Sequence, residues 1–389
     1  ASATQNLSAM SVAATFSAAA SSSGFAFAGA GADARNTVNN TIETYIQGES
    51  ATAKSTINAT GNILLSASET ATINAEVGSG ALSAGVIGGS IGISLATNTV
   101  TSSIKSWLEN ANVTSSLNGI GVSAASSDTV TTLSVATSIA AAIGAAGAGA
   151  TATATVSPTV EAYVGSGATL NAENDILVDA TSINSAEATT CGIAAGAVAV
   201  GAVISNATTN GSILAHMNGV VTGADNVTVK ALAKNRAEAT ATALAGGIIT
   251  VGGSEANATT SPTVSAYLGA EADVTVSQSV NIYADAEVSS DAISRGYSVA
   301  IGGAVGVSSS TAEASPHLNA YVGAGSTINA TDLNITAKQS RPTDDYSAAA
   351  QASGASGALL IGVNATVSNA TNNAQINAYV ADNSALIVT

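Results

Sequence analysis

The sequence predicts an all-β chain: a β-solenoid of stacked strand repeats of about 51–62 residues, with small-residue, Ala/Gly-rich sheets. Three observations lead there. A short phrase carrying one ring recurs seven times, apolar residues alternate with a period of two around it, and the rest of each period is built from Ala, Gly, Ser and Thr.

The ring phrases are Glu43-Thr-Tyr45-Ile, Lys105-Ser-Trp107-Leu, Glu161-Ala-Tyr163-Val, Leu214-Ala-His216-Met, Ser265-Ala-Tyr267-Leu, Asn319-Ala-Tyr321-Val and Asn377-Ala-Tyr379-Val. Successive rings lie 62, 56, 53, 51, 54 and 58 residues apart. A turn follows each phrase (Gly165-Ser-Gly167, Gly269-Ala-Glu271, Gly323-Ala-Gly325), then a short alternating piece such as Ala168-Thr-Leu170-Asn-Ala172. A second alternating strand comes next, as in Asp175-Ile-Leu-Val-Asp-Ala180, Asn226-Val-Thr-Val-Lys-Ala231 and Asp332-Leu-Asn-Ile-Thr-Ala337.

The remainder of each period is a longer small-residue stretch broken by Gly, such as Cys191-Gly-Ile-Ala-Ala-Gly-Ala-Val-Ala-Val-Gly201. It reads as a pair of small-residue strands within each repeat, because β-branched residues and glycine disfavour long helices. Neighbouring side chains on a strand point to opposite faces. Val160, Ala162, Val164, Ile176, Val178 and Ala180 therefore face the interior, and Leu177 and Asp179 face out. Cys191, the only cysteine, is expected as a buried, inert thiol.

Composition supports a thin interior. Aromatic residues make up 3% and charged residues 9% of the 389-residue chain, against about 25% charged in an ordinary domain. A single repeat cannot bury its apolar face alone, so repeats must stack. Residues 1–389 read as one continuous solenoid of about seven repeats, the first and last incomplete, with Arg341–Tyr346 a loop insertion inside one of them.

With these phrases in view, the chain resembles the β-strand repeats of very large bacterial surface proteins, in particular the leukotoxin-like filamentous adhesins. The match lies in x-Ala-Tyr-Val-Gly, a short alternating strand, Asn/Asp-Ile-x-Val-x-Ala, and then the Gly/Ala-rich stretch. Trp107 and His216 depart from it at the ring position. The resemblance implies a secreted or surface-displayed bacterial fibre with a role in attachment, matrix formation or cell contact, and it transfers no catalytic residue.

Other chemistry finds little support. A net charge of −16 opposes binding to nucleic-acid phosphate and anionic surfaces, so no nucleic-acid partner is expected. The uncharged run from Thr129 to Thr159 is long enough for a membrane span, yet the equivalent segments of other repeats carry charge, so no span is expected. Gly88-Gly-Ser90-Ile-Gly92 fits the nucleophile-elbow pattern without the strand-to-helix context that the pattern needs. Nine basic residues spread over seven repeats form no acid/base groove, and one cysteine with two separated histidines makes no metal set. The pairs Asp344/Asp345 and Glu173/Asp175 offer too few ligands for a calcium loop. The expectation is a non-enzyme without cofactor or metal.

Two functional expectations remain. Incomplete terminal repeats would leave unpaired backbone groups, so that either copies join head to tail into a homopolymeric extracellular filament or the chain is one piece of a longer repeat array. Alternatively, the outward stripe Tyr45, Trp107, Tyr163, His216, Tyr267, Tyr321 and Tyr379 would bind a surface glycan or matrix ligand, making the chain an adhesin stalk. Against adhesion stands the simpler reading that the rings stack across strands and stabilise the sheet.

Overall fold

The structure, a computed structural model, describes residues 1–19, 24–141, 143–343 and 345–388. Every regular element among them is a β-strand, and the strands pair parallel in one 17-stranded and one 7-stranded sheet. Each sequence period forms one coil. The coil that opens at Ile63 has an outbound strand (Ile63–Ala84), a return strand (Ile87–Val100), a ring strand (Ser103–Glu109) and a short strand (Ala111–Ser115). The next coil repeats this, with Ile63 opposite Ile120, Ile87 opposite Ile143, Ser103 opposite Thr159 and Asn112 opposite Thr169.

This corrects the expected fold class. The chain is not a plain β-solenoid of stacked flat small-residue repeats but a parallel β-helix whose sheets curl into a nearly closed, barrel-like wall with a thin wing. Two features overturn the expectation. The Asn/Asp-Ile-x-Val-x-Ala segment does not end as a short strand: in two coils the backbone runs unbroken through outbound, return and ring segments, giving the 42-residue strands Ile176–Met217 and Val227–Leu268. The two small-residue segments of a repeat also do not bond to each other as a strand pair. Each bonds to its own counterpart in the next coil, as Ala199 does opposite Thr250, and the two segments face one another across the interior. Small side chains set how closely layers approach and leave the hydrogen-bonding partner open, which is why composition alone suggests the wrong pairing.

The interior divides in two. Where the ring strand, the short strand and the start of the outbound strand meet, Ile, Leu and Val fill a wide core that includes Ile104, Leu170, Leu268, Ile282 and Leu318, all fully buried. Val160, Ala162, Val164, Ile176, Val178 and Ala180 all face inward with no exposed surface, and Leu177 points out. Beyond it, outbound and return strands close into the wing, whose core is mostly Ala.

Between the wing layers, hydroxyl pairs bridge at 2.7 Å: Ser90 with Ser138, Ser94 with Ser134, and Ser254 with Ser294. A buried hydroxyl costs free energy unless it finds a partner, and facing serines supply one another. Ser90, the serine of the elbow-like pattern, is one of these and is buried within a strand. Cys191 is half-buried, and not fully buried as expected, because it sits on the outward parity of its strand.

The corner after the ring strand repeats a backbone solution. Its third residue is left-handed in four coils, at Gly167 (φ 77), Glu271 (φ 59), Gly325 (φ 72) and Asn383 (φ 60). Glycine adopts this region without strain, and the corner tolerates Glu271 and Asn383 at a cost. The loop insertion around Arg341 lies beside the outbound layer, where Asp345 Oδ2 accepts from Ser289 Oγ at 2.8 Å; Asp344 lies outside the described residues.

Candidate functional site: the ring ladder and the buried carboxyl belt

In-register stacking brings all seven ring residues into one column. Tyr45, Trp107, Tyr163, His216, Tyr267, Tyr321 and Tyr379 stack in order, with successive centroids 4.6, 5.8, 4.8, 4.9, 4.6 and 5.0 Å apart and interplanar angles of 2° to 11°. Most of these distances match the inter-strand spacing of about 4.8 Å, so the backbone ladder itself sets the stack. Each of the five inner rings has both faces covered by neighbours and offers only an edge to solvent. A sugar that binds by lying flat on a ring face finds no such face along the inner column.

Charge gathers at the middle of the ladder. Lys105 Nζ lies 2.9 Å from Glu161 Oε2, and His216 Nε2 lies 3.4 Å from Glu161 Oε1. The His216 hydrogen bond, aided by Lys105, outweighs partial burial and holds the Glu161 carboxyl down at about 2. Burial, together with the nearby carboxylates Glu161, Glu109 and Glu43, pushes the Tyr163 phenol up to about 12. Tyr321 reaches about 12 through burial and its stacked tyrosine neighbours. The Tyr163 and Tyr321 phenols therefore stay neutral and stack without charge repulsion.

Each aromatic pair contributes about 0.5–1.5 kcal/mol beyond area burial. Replacing Tyr267 with Ser removes two such contacts and is expected to destabilise the protein by about 1–3 kcal/mol. Thermal unfolding of Tyr267→Ser beside the parent checks this; an unchanged melting temperature would show that the stack adds nothing.

A second cluster was not among the sequence-predicted residues. Where the wide core meets the wing, Glu69, Asp128, Asn184 and Asn235 point inward and are almost wholly buried. Glu69 Oε1 accepts from Asn40 Nδ2 at 2.6 Å and from Ser102 Oγ at 2.8 Å, while Asp128 Oδ1 accepts from the Ala71 backbone N–H at 3.0 Å. Burial, with the Glu69 charge nearby, pushes the Asp128 carboxyl up to about 7 despite the Ala71 hydrogen bond. One signal in the sequence could have found this belt: Glu69 and Asp128 are the only charged residues on the inward parity of their alternating strands, whose other inward positions are aliphatic, Ser or Thr.

The belt makes stability depend on pH. Asp128 holds its proton in the folded state up to about pH 7 and loses it near 4 when unfolded. Between these values the folded state binds the extra proton, so stability is highest at the acid end of this window and falls as pH rises toward 7. Glu161 acts oppositely and in a lower window, its contribution present above about 4.5 and lost as pH falls toward about 2. Asp128→Asn is expected to flatten the decline between pH 4 and 7 and to raise the melting temperature at pH 8. Melting curves at pH 5 and pH 8 test it, and an unchanged difference between the two would refute the assignment.

Among the described residues, no three His, Cys, Asp or Glu side chains gather as a metal-binding group, and no helix is long and apolar enough to cross a membrane. Fold and site together define a class: a repeat-built parallel β-helix with a continuous ring column on its outside. The sequence matches no protein-family model and no curated protein.

Proposed function

We propose that the chain is a structural segment of an extracellular bacterial filament, extended by stacking of coil upon coil between neighbouring copies. The observation that supports this reading best is the in-register, parallel stacking of seven return strands from Phe25–Val38 to Ile361–Asn372, each pairing residue for residue with the next. The edge of any such coil is a row of backbone donors and acceptors whose best complement is another coil of the same shape. The resemblance to leukotoxin-like filamentous adhesins points the same way and supplies the secreted, surface-associated setting.

Side-chain ladders favour coil-on-coil extension as well. Asn377 Nδ2 donates to Asn319 Oδ1 at 3.0 Å, Asn334 Nδ2 to Asn281 Oδ1 at 2.9 Å, and Asn257 Nδ2 to Asn206 Oδ1 at 3.0 Å. Each amide repeats across a coil boundary, so a further coil extends the row. The stalk reading, with attachment through the ring column, is less well supported because the inner ring faces are occupied by one another.

Electron microscopy of the purified chain across a concentration series, with mass measured in solution, tests the proposal. Filaments with a regular axial subunit repeat are expected. Short rods that never elongate at any concentration would overturn it.

A further inference from the structure

The outer face of the wing carries an apolar surface that neither the ring column nor coil stacking uses. Around the groove, on the return strands of the third to fifth coils, it falls in the segments from Thr129 to Val160, Ala188 to Ala224 and Ala239 to Ser254, which contain no Asp, Glu, Lys or Arg, and the first outward charge beyond them on the fifth coil is Glu255. The 25 acidic and 9 basic residues of the chain all lie elsewhere.

This surface has relief. Over Ala145 and Gly147 of the third coil runs an open groove of 610 Å³, walled on one side by Phe27 and Ile91 and on the other by Val198 and Val200. The groove exists because its floor lacks side chains: a Cβ built on Gly147 would meet only Ile91 Cγ1, at 4.0 Å. Two coils further along, at the same strand positions, stand Ile249 and Val251, exposed by 54% and 37%. Groove and block are thus separated by one coil, the fourth, whose outward residues are Val198 and Val200.

We propose that this face is a self-complementary docking surface and that its occupant is a second copy of the chain, related by a two-fold axis through the fourth coil. In an isologous contact, residue i of one copy meets residue j of the other and the reverse. An axis at Val198 and Val200 places Ile249 and Val251 of each copy in the groove over Ala145 and Gly147 of the other. The coil spacing is identical in both copies, so the steps coincide without adjustment.

Charge selects the same occupant. Two copies each carrying −16 repel one another wherever their acidic surfaces approach, and at the groove and block they meet without opposing charges, since outward charges of the return strands such as Asp33, Arg35 and Glu255 lie further along the strands toward the base of the wing. An anionic headgroup would need cations here, and the three segments have none. Phe27, Ile91, Val198, Val200, Ile249 and Val251 are all exposed along this face and supply apolar contact toward the roughly 800 Å² per partner that a standard specific interface buries. Contiguous apolar surface of this extent on a soluble protein ordinarily marks a contact site. The lateral contact rests on the filament reading only in its consequence, which is that filaments would pair side by side.

The test is sedimentation equilibrium of the full chain across a concentration series for the parent, Gly147→Phe and Val251→Asp. Gly147→Phe keeps the face apolar but fills the groove, and Val251→Asp places a charge on the block. Dimerisation weakened at least tenfold in both variants, with melting temperatures retained, is expected. A parent that stays free of side-by-side dimers at the highest concentration overturns the proposal, and so does dimerisation undisturbed by Gly147→Phe, which would indicate unspecific stickiness. Flotation with neutral phosphatidylcholine vesicles is expected to leave the chain unbound. Vesicle binding by a chain that is monomeric in solution would assign the face to lipid instead.

The outcomes separate from those of the filament reading. Failure of lateral docking leaves filaments of single width. Failure of end-to-end growth leaves dimers that do not elongate, still sensitive to Gly147→Phe.

Discussion

Gly252→Leu is expected to destabilise the protein by about 3 kcal/mol, whereas Gly253→Leu, one residue along the same strand, is expected to leave stability within about 0.5 kcal/mol. The two glycines face opposite ways. Gly252 points into the wing, where a Cβ would stand 2.7 Å from the Tyr297 carbonyl oxygen and 3.1 Å from Ser298 Oγ. The obstacle is backbone of the facing layer, so no rotamer change relieves it and the layers must separate. Gly253 points outward, and a Cβ there would meet nothing closer than the Gly201 carbonyl oxygen at 3.8 Å.

The same close approach recurs along the wing, with Gly92 against the Thr137 carbonyl oxygen and Gly201 against that of Leu244. Stability in a repeat array is a sum of local and nearest-neighbour terms, so damage at Gly252 should appear as early opening of the coils around it. Thermal unfolding combined with amide hydrogen exchange measures both. Equal melting temperatures for the two variants would show that the wing layers are not held as closely as the glycines imply.

Ile282→Ala is the second large effect, expected at about 2–5 kcal/mol. Ile282 is fully buried in the wide core, stacked between Val229 of the preceding coil and Ile335 of the next. Truncation removes apolar burial and leaves a cavity that in-register neighbours cannot fill, because hydrogen bonds fix the strands on either side. Ile301→Ala, at a side chain 63% exposed on the wing edge, is the control and is expected to change stability by less than about 0.5 kcal/mol. Denaturant unfolding of the two variants checks the contrast, and comparable losses would show that the Ile/Leu/Val core does not dominate stability.

These effects show what was legible in the sequence and what was not. The seven ring phrases announced the repeat, and alternation assigned the inward faces of Val160, Ala162 and Val164 because a period of two is local information. The ring column follows from equal register, which recurrence of the phrase implies. The path of the coil was not legible. Whether Ile176–Met217 is one strand or three depends on corners that bend without breaking hydrogen bonds, and the sequence marks such corners only with small residues that occur throughout the wing. The groove over Gly147 and the block at Ile249 and Val251 were hidden for a related reason: both parities of the return strand are apolar or small, so alternation carries no signal there.

By itself, then, the sequence determined the periodicity, the all-strand character, the inward residues of the wide core and the spacing of the rings, since each depends on neighbours along one strand or on repetition of a phrase. Only the tertiary structure decided that each period closes one coil of a parallel β-helix, that small-residue layers face rather than bond one another, and that Glu69 and Asp128 share a buried belt. The physical reason is that Ala, Gly and Ser permit close approach from any direction, so the backbone hydrogen bonds between coils, which no side chain encodes, choose among the arrangements that such residues allow.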